Sequence, residues 1–101
     1  MELKPGLRLR SQVCDAEVVV VKAAGGGELT CGGAPLVGKD DPSDPAAVLD
    51  PDQAGGTLLG KRYTDGAGTV EILATKAGAG SLALDGLPLT VKAAKALPAS
   101  D

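Results

Sequence analysis

The chain contains an internal repeat, and this repeat constrains its fold more than any other feature of the sequence. Residues 6–37 align with residues 60–91 at an offset of 54 positions, which becomes 53 after one deleted glycine. A repeat of this length is typical of one supersecondary unit used twice, in which neither copy buries its apolar face alone. The identical pairs are Gly6/Gly60, Arg8/Arg62, Glu17/Glu71, Lys22/Lys76, Ala23/Ala77, Gly26/Gly80, Leu29/Leu82, Gly33/Gly86, Pro35/Pro88 and Leu36/Leu89.

The length and composition predict one compact domain made of two small units. The chain has 101 residues, of which 44% are hydrophobic, but Tyr63 is its single aromatic residue. Units of about forty residues rarely fold alone, so we expect the second copy to complete the first. The predicted divisions are a first repeat over 1–38, a connector over 39–57 and a second repeat over 58–101.

The residue pattern of the first copy predicts β-strands. Leu7–Arg10 alternates apolar and charged residues, as in a half-exposed strand. Glu17–Lys22 is rich in valine without a helical period, which favours a strand buried on both faces. Ala23–Gly27 is rich in glycine, and Glu28–Cys31 follows it, so these segments predict a hairpin.

The second copy predicts the same order of elements. Val70–Thr75 corresponds to the valine strand, Ala77–Gly80 to the glycine turn and Ser81–Leu84 to the returning strand. Asp85-Gly86 is a typical tight-turn pair, and it predicts a further hairpin with Leu87–Val91 as the partner strand. Val91–Leu97 has the composition of a short helical turn that Pro98 would end. We therefore expect an all-β fold with little or no helix.

The connector is rich in proline and acid, which predicts a solvated segment. A calcium-type site is not expected there, because prolines interrupt the carboxylates that such a site would need at regular spacing. Its aspartates are Asp40, Asp41, Asp44, Asp50 and Asp52.

The charge and the N-terminal sequence narrow the classes of partner. The formal net charge is −3 and the pI is about 4.8, which argues against nucleic acid or an anionic membrane as a partner. No apolar segment opens the chain as a signal peptide would, so we expect a cytoplasmic protein with a protein partner. We expect it to be a monomeric pseudo-dimer or a weak homo-oligomer.

The first copy resembles desulforedoxin and the N-terminal domain of desulfoferrodoxin. The similarity lies in the order of Ser11-Gln-Val-Cys14, Glu17–Lys22, Gly25-Gly-Gly27 and Glu28-Leu-Thr-Cys31 followed by Gly32-Gly33. The resemblance implies a small rubredoxin-like β unit that binds one iron through four cysteines. Since that family forms homodimers, it also implies that this chain is two such units fused as a pseudo-twofold dimer.

The metal ligands that the resemblance implies are mostly missing from this sequence. They would fall on Ser11, Cys14, Cys31 and Gly32, so only two of the four are thiols. In the second copy they would fall on Asp65, Gly68, Leu84 and Asp85, which include no sulfur. A site with four thiolates cannot form from one such chain. The resemblance therefore implies an inherited fold whose metal site has been lost.

Three states of Cys14 and Cys31 remain open from the sequence. They can be free thiols packed as small apolar groups, a disulfide, or a residual iron or zinc site completed by Ser11, water or a second chain. The chain has no histidine that could replace a missing thiolate or serve as the usual base for a nucleophile. We accordingly expect no cofactor and no enzymatic activity.

Lys61, Arg62 and Tyr63 form a candidate interaction patch, because tyrosine and arginine are enriched at interface hot spots. In the alternative interpretation Tyr63 lies in the core, in the position that Leu9 has in the first copy.

The sequence therefore predicts a non-catalytic accessory or protein-interaction module. The alternatives are a mononuclear iron or zinc protein in electron transfer, and a thiol–disulfide switch that uses Cys14 and Cys31. We also expect Val19→Asp or Leu73→Asp to unfold the chain, since each would place a charge in a small core.

Overall fold

The computed structural model describes residues 3–24 and 27–92, and within them the chain forms two antiparallel sheets and no α-helix. The one helical element of these ranges is a 3-10 turn at Pro51–Gln53. The predicted all-β fold class is thus confirmed. The strands are β1 (Arg8–Arg10), β2 (Glu17–Ala23), β3 (Leu29–Cys31), β4 (Ala34–Pro35), β5 (Val37–Gly38), β6 (Arg62–Thr64), β7 (Val70–Lys76), β8 (Leu82–Leu84), β9 (Leu87–Pro88) and β10 (Thr90–Val91).

Each sheet is centred on a pair of strands from different copies of the repeat. The larger sheet has the order β10-β6-β7-β2-β1-β5, and the smaller has the order β4-β3-β8-β9. In the larger sheet Val18 lies opposite Ala74 and Val20 opposite Ile72. In the smaller sheet Thr30 lies opposite Ala83. A twofold rotation between the copies stays a prediction.

The predicted hairpin between Glu17–Lys22 and Glu28–Cys31 is wrong. β2 pairs with β1 and β7, whereas β3 pairs with β4 and β8, so the glycine turn carries the chain from one sheet to the other. The same holds for β7 and β8 in the second copy. β2 pairs with β7, its equivalent in the other copy, and β3 pairs with its equivalent β8. Pairing between the copies therefore replaces pairing between consecutive strands of one copy. Gly25 and Gly26 of the first turn lie outside the described residues.

The valine strand is buried on one face, not on both as predicted. Val18 and Val20 are each 1% exposed, while Val19 between them is partly exposed. Leu73, which lies opposite Val19, is also partly exposed. The smaller sheet covers only one side of the larger sheet, so alternate residues face solvent. Val19→Asp and Leu73→Asp were expected to unfold the chain because both residues were predicted to lie in the core. Both are partly exposed, so that prediction of burial is wrong.

The core lies between the two sheets and is almost entirely aliphatic. Tyr63 is 6% exposed and belongs to this core, as does Leu9 at the corresponding position of the first copy. The other buried members are Leu3, Ala16, Val18, Val20, Leu29, Cys31, Leu36, Val70, Ile72, Ala74, Leu82, Leu84 and Leu89.

Two-residue turns close the hairpins of the smaller sheet. Asp85 and Gly86 have φ angles of 50° and 82°, and Gly32 and Gly33 have 64° and 89°. Positive φ at both central residues is the signature of the type I′ turn, which matches the twist of antiparallel strands. The predicted Asp85-Gly86 hairpin is thus confirmed, although its partner is split into β9 and β10 in different sheets. Residues 93–97 of the predicted helical turn lie outside the described residues.

Most side chains of the acidic connector are exposed, but its backbone is hydrogen-bonded to the rest of the chain. The Asp50 N–H donates to the Gly32 carbonyl at 2.9 Å, and the Ser81 N–H donates to the Gln53 carbonyl at 2.8 Å. Arg10 donates to the Asp41 carbonyl and to Ser43 Oγ. The connector therefore lies along the molecule and touches both copies of the repeat.

Candidate functional site

The fold brings Cys14 and Cys31 into contact, and this pair is the candidate functional site. Cys14 lies in the bend between β1 and β2, and Cys31 ends β3. Their Sγ atoms are 3.8 Å apart and both thiols are free. Cys31 is fully buried, whereas Cys14 is partly exposed. Cys14 is thus the more exposed residue of the pair and Cys31 the shielded one.

Ser11 organises the bend around Cys14. Its side chain is buried, and its Oγ accepts the N–H groups of Val13 and Cys14 at 3.1 and 3.2 Å. The same Oγ lies 3.2 Å from Cys14 Sγ. Since the oxygen already accepts two hydrogen bonds, its own hydrogen is available to donate to the sulfur.

The glycine turn of the second copy packs directly on the two sulfur atoms. The Gly80 N–H donates to Cys14 Sγ at 3.3 Å. A Cβ on Gly78 would lie 2.7 Å from Cys14 Sγ, and one on Gly80 would lie 3.0 Å from Cys31 Sγ. Only glycine fits this close approach, so the site is built from both halves of the chain.

Thr57 holds that glycine turn in place. Its Oγ1 donates to the Gly80 carbonyl at 2.7 Å, and its backbone exchanges hydrogen bonds with Gly78 at 2.8 and 3.1 Å. Thr57 is 1% exposed. Thr57 was not among the predicted site residues, and Gly78 and Gly80 were predicted only as turn residues. No local signal in the sequence indicates that this turn meets the sulfur atoms of the other copy.

The two thiols have opposite shifts of acidity. Burial by itself raises the pKa of Cys14, but hydrogen bonds from the Ser11 hydroxyl and from the N–H groups of Ala16 and Gly80 outweigh it and leave that pKa below its ordinary value. Burial raises the pKa of the Cys31 thiol to about 11, and the neighbouring Cys14 sulfur adds to this rise. Cys14 is therefore the more reactive nucleophile.

The residues around the pair do not fit a four-ligand metal site. Cys14, Cys31 and the Ser11 hydroxyl supply at most three donors, and residues 3–24 and 27–92 hold no cluster of three or more histidine, cysteine or acidic side chains. A side chain at Gly32 would start 2.6 Å from Leu49 Cδ1 and 2.7 Å from Val13 Cγ2. Apolar atoms therefore fill the place of a fourth ligand.

The corresponding positions of the second copy have structural roles. Asp65 accepts the Thr69 hydroxyl at 2.5 Å and the Val70 N–H at 3.1 Å, and the Thr69 bond is the main cause of its lowered pKa. Asp85 accepts the Glu28 N–H at 2.8 Å. Leu84, which aligns with Cys31, is 8% exposed and belongs to the core. These side chains stabilise turns and the core instead of converging on one ligand.

The predicted interaction patch is divided by the sheet. Tyr63 is buried in the core and its hydroxyl accepts the Leu58 N–H at 2.9 Å. Arg62 points to the opposite face, where it donates to Glu71 Oε2 at 2.9 Å. Lys61 is exposed before the strand begins. Arg62 and Tyr63 therefore cannot contact one partner together, and Tyr63 has the core position given by the alternative interpretation.

No family model matches the chain, and neither a curated protein nor a solved structure matches it. Among residues 3–24 and 27–92 no helix is long and apolar enough to cross a bilayer.

Proposed function

We propose that this chain is a non-catalytic accessory or protein-interaction module in which Cys14 and Cys31 form a thiol–disulfide switch. The observation that supports it is the 3.8 Å distance between the sulfur atoms of a partly exposed cysteine and a buried one. The lowered pKa of Cys14 suits the attacking thiol, and the raised pKa of Cys31 suits a thiol that stays protonated until it resolves the intermediate. Free thiols of this kind persist in a reducing cytoplasm.

The switch needs a small disulfide such as oxidised glutathione as its oxidant. The Cys14 thiolate attacks one sulfur of that disulfide, which releases one thiolate and leaves a mixed disulfide on Cys14. Cys31 then loses its proton and attacks the Cys14 sulfur, which releases the second thiol. Two protein thiols are oxidised to one disulfide, and the small disulfide is reduced to two thiols. The protein sulfurs must approach by about 1.8 Å to reach the bond length of about 2.05 Å.

Oxidation at this pair would alter the contact between the two halves of the chain. The Gly80 N–H donates to Cys14 Sγ in the reduced state, and that hydrogen bond weakens on oxidation, because a disulfide sulfur is a poorer acceptor than the thiolate that attacks. Gly80 is in turn bonded to Thr57 at the end of the connector. This chain of contacts gives the switch a path from the sulfur atoms to the exposed connector.

A desulforedoxin-like ancestor is part of the proposal, and the order of residues in the repeat supports it. An iron or zinc electron-transfer protein is less well supported, because the donor set around Cys14 and Cys31 is incomplete and Gly32 leaves no room for a fourth ligand.

The test is a count of free thiols after equilibration in buffers of graded glutathione redox potential. We expect both thiols to disappear together at one midpoint, with a mass loss that corresponds to an intramolecular disulfide. Cys31→Ser should instead accumulate a stable mixed disulfide with glutathione on Cys14, since the resolving thiol is absent. In the matched variant Cys14→Ser, the buried Cys31 should stay unmodified.

Two thiols that remain reduced at every potential would refute the switch. A stoichiometric metal in protein purified without an affinity tag would refute it as well, and would favour the metal-protein alternative.

A further inference from the structure

The outer face of the six-stranded sheet, which we call the basic face, carries most of the positive charge of an acidic protein. Strand register and contacts place there seven of the nine basic residues that the structure describes, together with Glu17 and Glu71, and Arg10 also contacts the connector at Asp41. The basic residues are Arg8, Arg10, Lys22, Lys39, Arg62, Lys76 and Lys92. The smaller sheet covers the other side of this sheet, so the basic face is open.

The centre of the basic face is an aliphatic pair flanked by arginines. One row across the strands runs from Arg8 through Val19 and Leu73 to Arg62. Three strand spacings of about 4.8 Å separate the ends of this row, so the two arginine backbones lie about 14 Å apart. Val19 and Leu73 are both partly exposed.

The two halves of the basic face differ in the ion pairs that their basic residues form. In the second half Glu71 accepts both Arg62 and Lys92 at 2.9 Å, and this is the main reason for its lowered pKa. Arg62 and Glu71 align in the repeat with Arg8 and Glu17, and Lys92 and Lys39, just beyond the aligned ranges, keep the offset of 53.

In the first half the equivalent carboxylate, that of Glu17, has a different neighbour. Glu17 lies 3.9 Å from Lys76. Within residues 3–24 and 27–92, neither Arg8 nor Lys39 forms an ion pair. Both cations line a cavity of about 360 Å³ on this face, together with Lys76, Glu17, Val19 and Thr75. The cavity thus holds three basic side chains against one acidic side chain.

We propose that this cavity binds a carboxylate side chain of an acidic polypeptide segment, whose apolar residue lies on Val19 and Leu73. Arg8 and Lys39, which pair with no carboxylate of the described residues, supply the two cations, and arginine binds a carboxylate through two parallel hydrogen bonds. An acidic residue followed by an apolar one matches the Arg8 end of this row, since Arg62 at the other end is already paired with Glu71. The inference names the partner of the interaction module proposed above and rests on that part of the proposal, but it does not depend on the thiol chemistry.

Other occupants fit this face less well. Face-to-face pairing with a second copy would oppose like charges. A nucleic acid would meet Glu17 and Glu71 beside the phosphates and would find no exposed aromatic ring on which to stack. A membrane surface would find little to insert at the centre of this face, since Val19 and Leu73 are both partly buried.

The test is fluorescence anisotropy of a labelled peptide with glutamates on both sides of a leucine, and of a matched peptide with glutamines in their place. Both thiols are kept reduced, so the result is independent of the switch. We expect the glutamate peptide alone to bind, and its affinity to fall as salt is raised. Arg8→Glu combined with Lys39→Glu should weaken binding at least about tenfold, because the cavity becomes acidic.

Lys4→Glu combined with Lys61→Glu is the matched control, since it reverses two exposed charges outside the basic face. This control should keep near-native affinity. Equal losses in the two double variants, or no binding of the glutamate peptide to the native chain, would overturn the proposal. So would tighter binding of a single-stranded oligonucleotide or of anionic phosphatidylserine vesicles than of the glutamate peptide.

Discussion

The unequal environments of the two cysteines follow from their places in the chain. Cys31 ends a strand of the smaller sheet and is enclosed by the core, whereas the sulfur of Cys14 accepts hydrogen bonds from the Ser11 hydroxyl and from the N–H groups of Ala16 and Gly80. The same pair therefore contains one thiol that ionises readily and one that resists ionisation. Burial alone would have shifted both thiols in the same direction.

The raised pKa of Cys31 predicts a loss of stability in alkaline solution. The unfolded chain releases this proton near the ordinary value of 9.0, but the folded chain holds it up to about 11. Unfolding therefore becomes more favourable as the pH rises through this interval, and the contribution of Cys31 is complete below it. We expect the free energy of unfolding of the reduced protein to fall more steeply from pH 9 to 11 than that of Cys31→Ala. Urea titrations across this range measure the difference, and parallel curves would contradict it.

Residues that act locally were predictable, whereas those that act across the repeat were not. Cys14 and Cys31 stand out by their type, whereas Ser11 was singled out only through the resemblance, as a metal ligand and not as the acceptor that shapes the bend. Thr57 and Gly80 are ordinary residues of a connector and a turn, and they gain their roles only when the second copy packs on the first. A contact over 66 positions of sequence leaves no local pattern.

At the scale of elements, β2 shows why residue type alone misjudged burial. A run of valines predicts a strand, but it does not reveal whether one or both faces of the sheet are covered. Here only one face is covered, so Val18 and Val20 are buried and Val19 lies on the basic face. The strand positions were thus predictable from β-branched residues, while the covered face and the strand partners depend on the packing of the whole sheet.

Adjacent substitutions in β2 test this alternation. Val20→Asp should cost at least about 3 kcal/mol or prevent folding, because it leaves an unpaired charge in the core. Val19→Asp should cost less than about 1.5 kcal/mol, since it faces solvent and lies directly opposite Arg8. Urea unfolding followed by circular dichroism compares the two variants. Similar losses of stability would show that both faces of β2 are buried.

At the scale of the whole molecule, the two halves are held together by the centre of each sheet. β2 pairs with β7 and β3 pairs with β8, so neither half contains a complete sheet centre. The repeat predicted this mutual dependence of the two copies, and the all-β fold class was also predictable. It was not predictable that the chain passes from one sheet to the other at each glycine turn, because glycine turns of this length are equally compatible with hairpins.

Cleavage of the connector tests how strongly the halves are joined. A protease site placed in the exposed segment between Asp44 and Ala47 should be cut without loss of structure, since the sheet centres remain paired. We expect the two fragments to co-elute in size-exclusion chromatography and to separate only in denaturant. The same site in the uncut chain is the control, and separation of the fragments in native buffer would contradict the expectation.

The row that joins Arg8 to Arg62 also affects the direction in which an extended ligand can bind. Arginine, aliphatic, aliphatic and arginine follow one another in the same order from either edge of the sheet. An extended ligand laid across this row would meet nearly the same surface in both directions of its own chain. The direction of the ligand chain would then depend on the cavity, because that is where the two halves differ. There Arg8 and Lys39 pair with no carboxylate of the described residues.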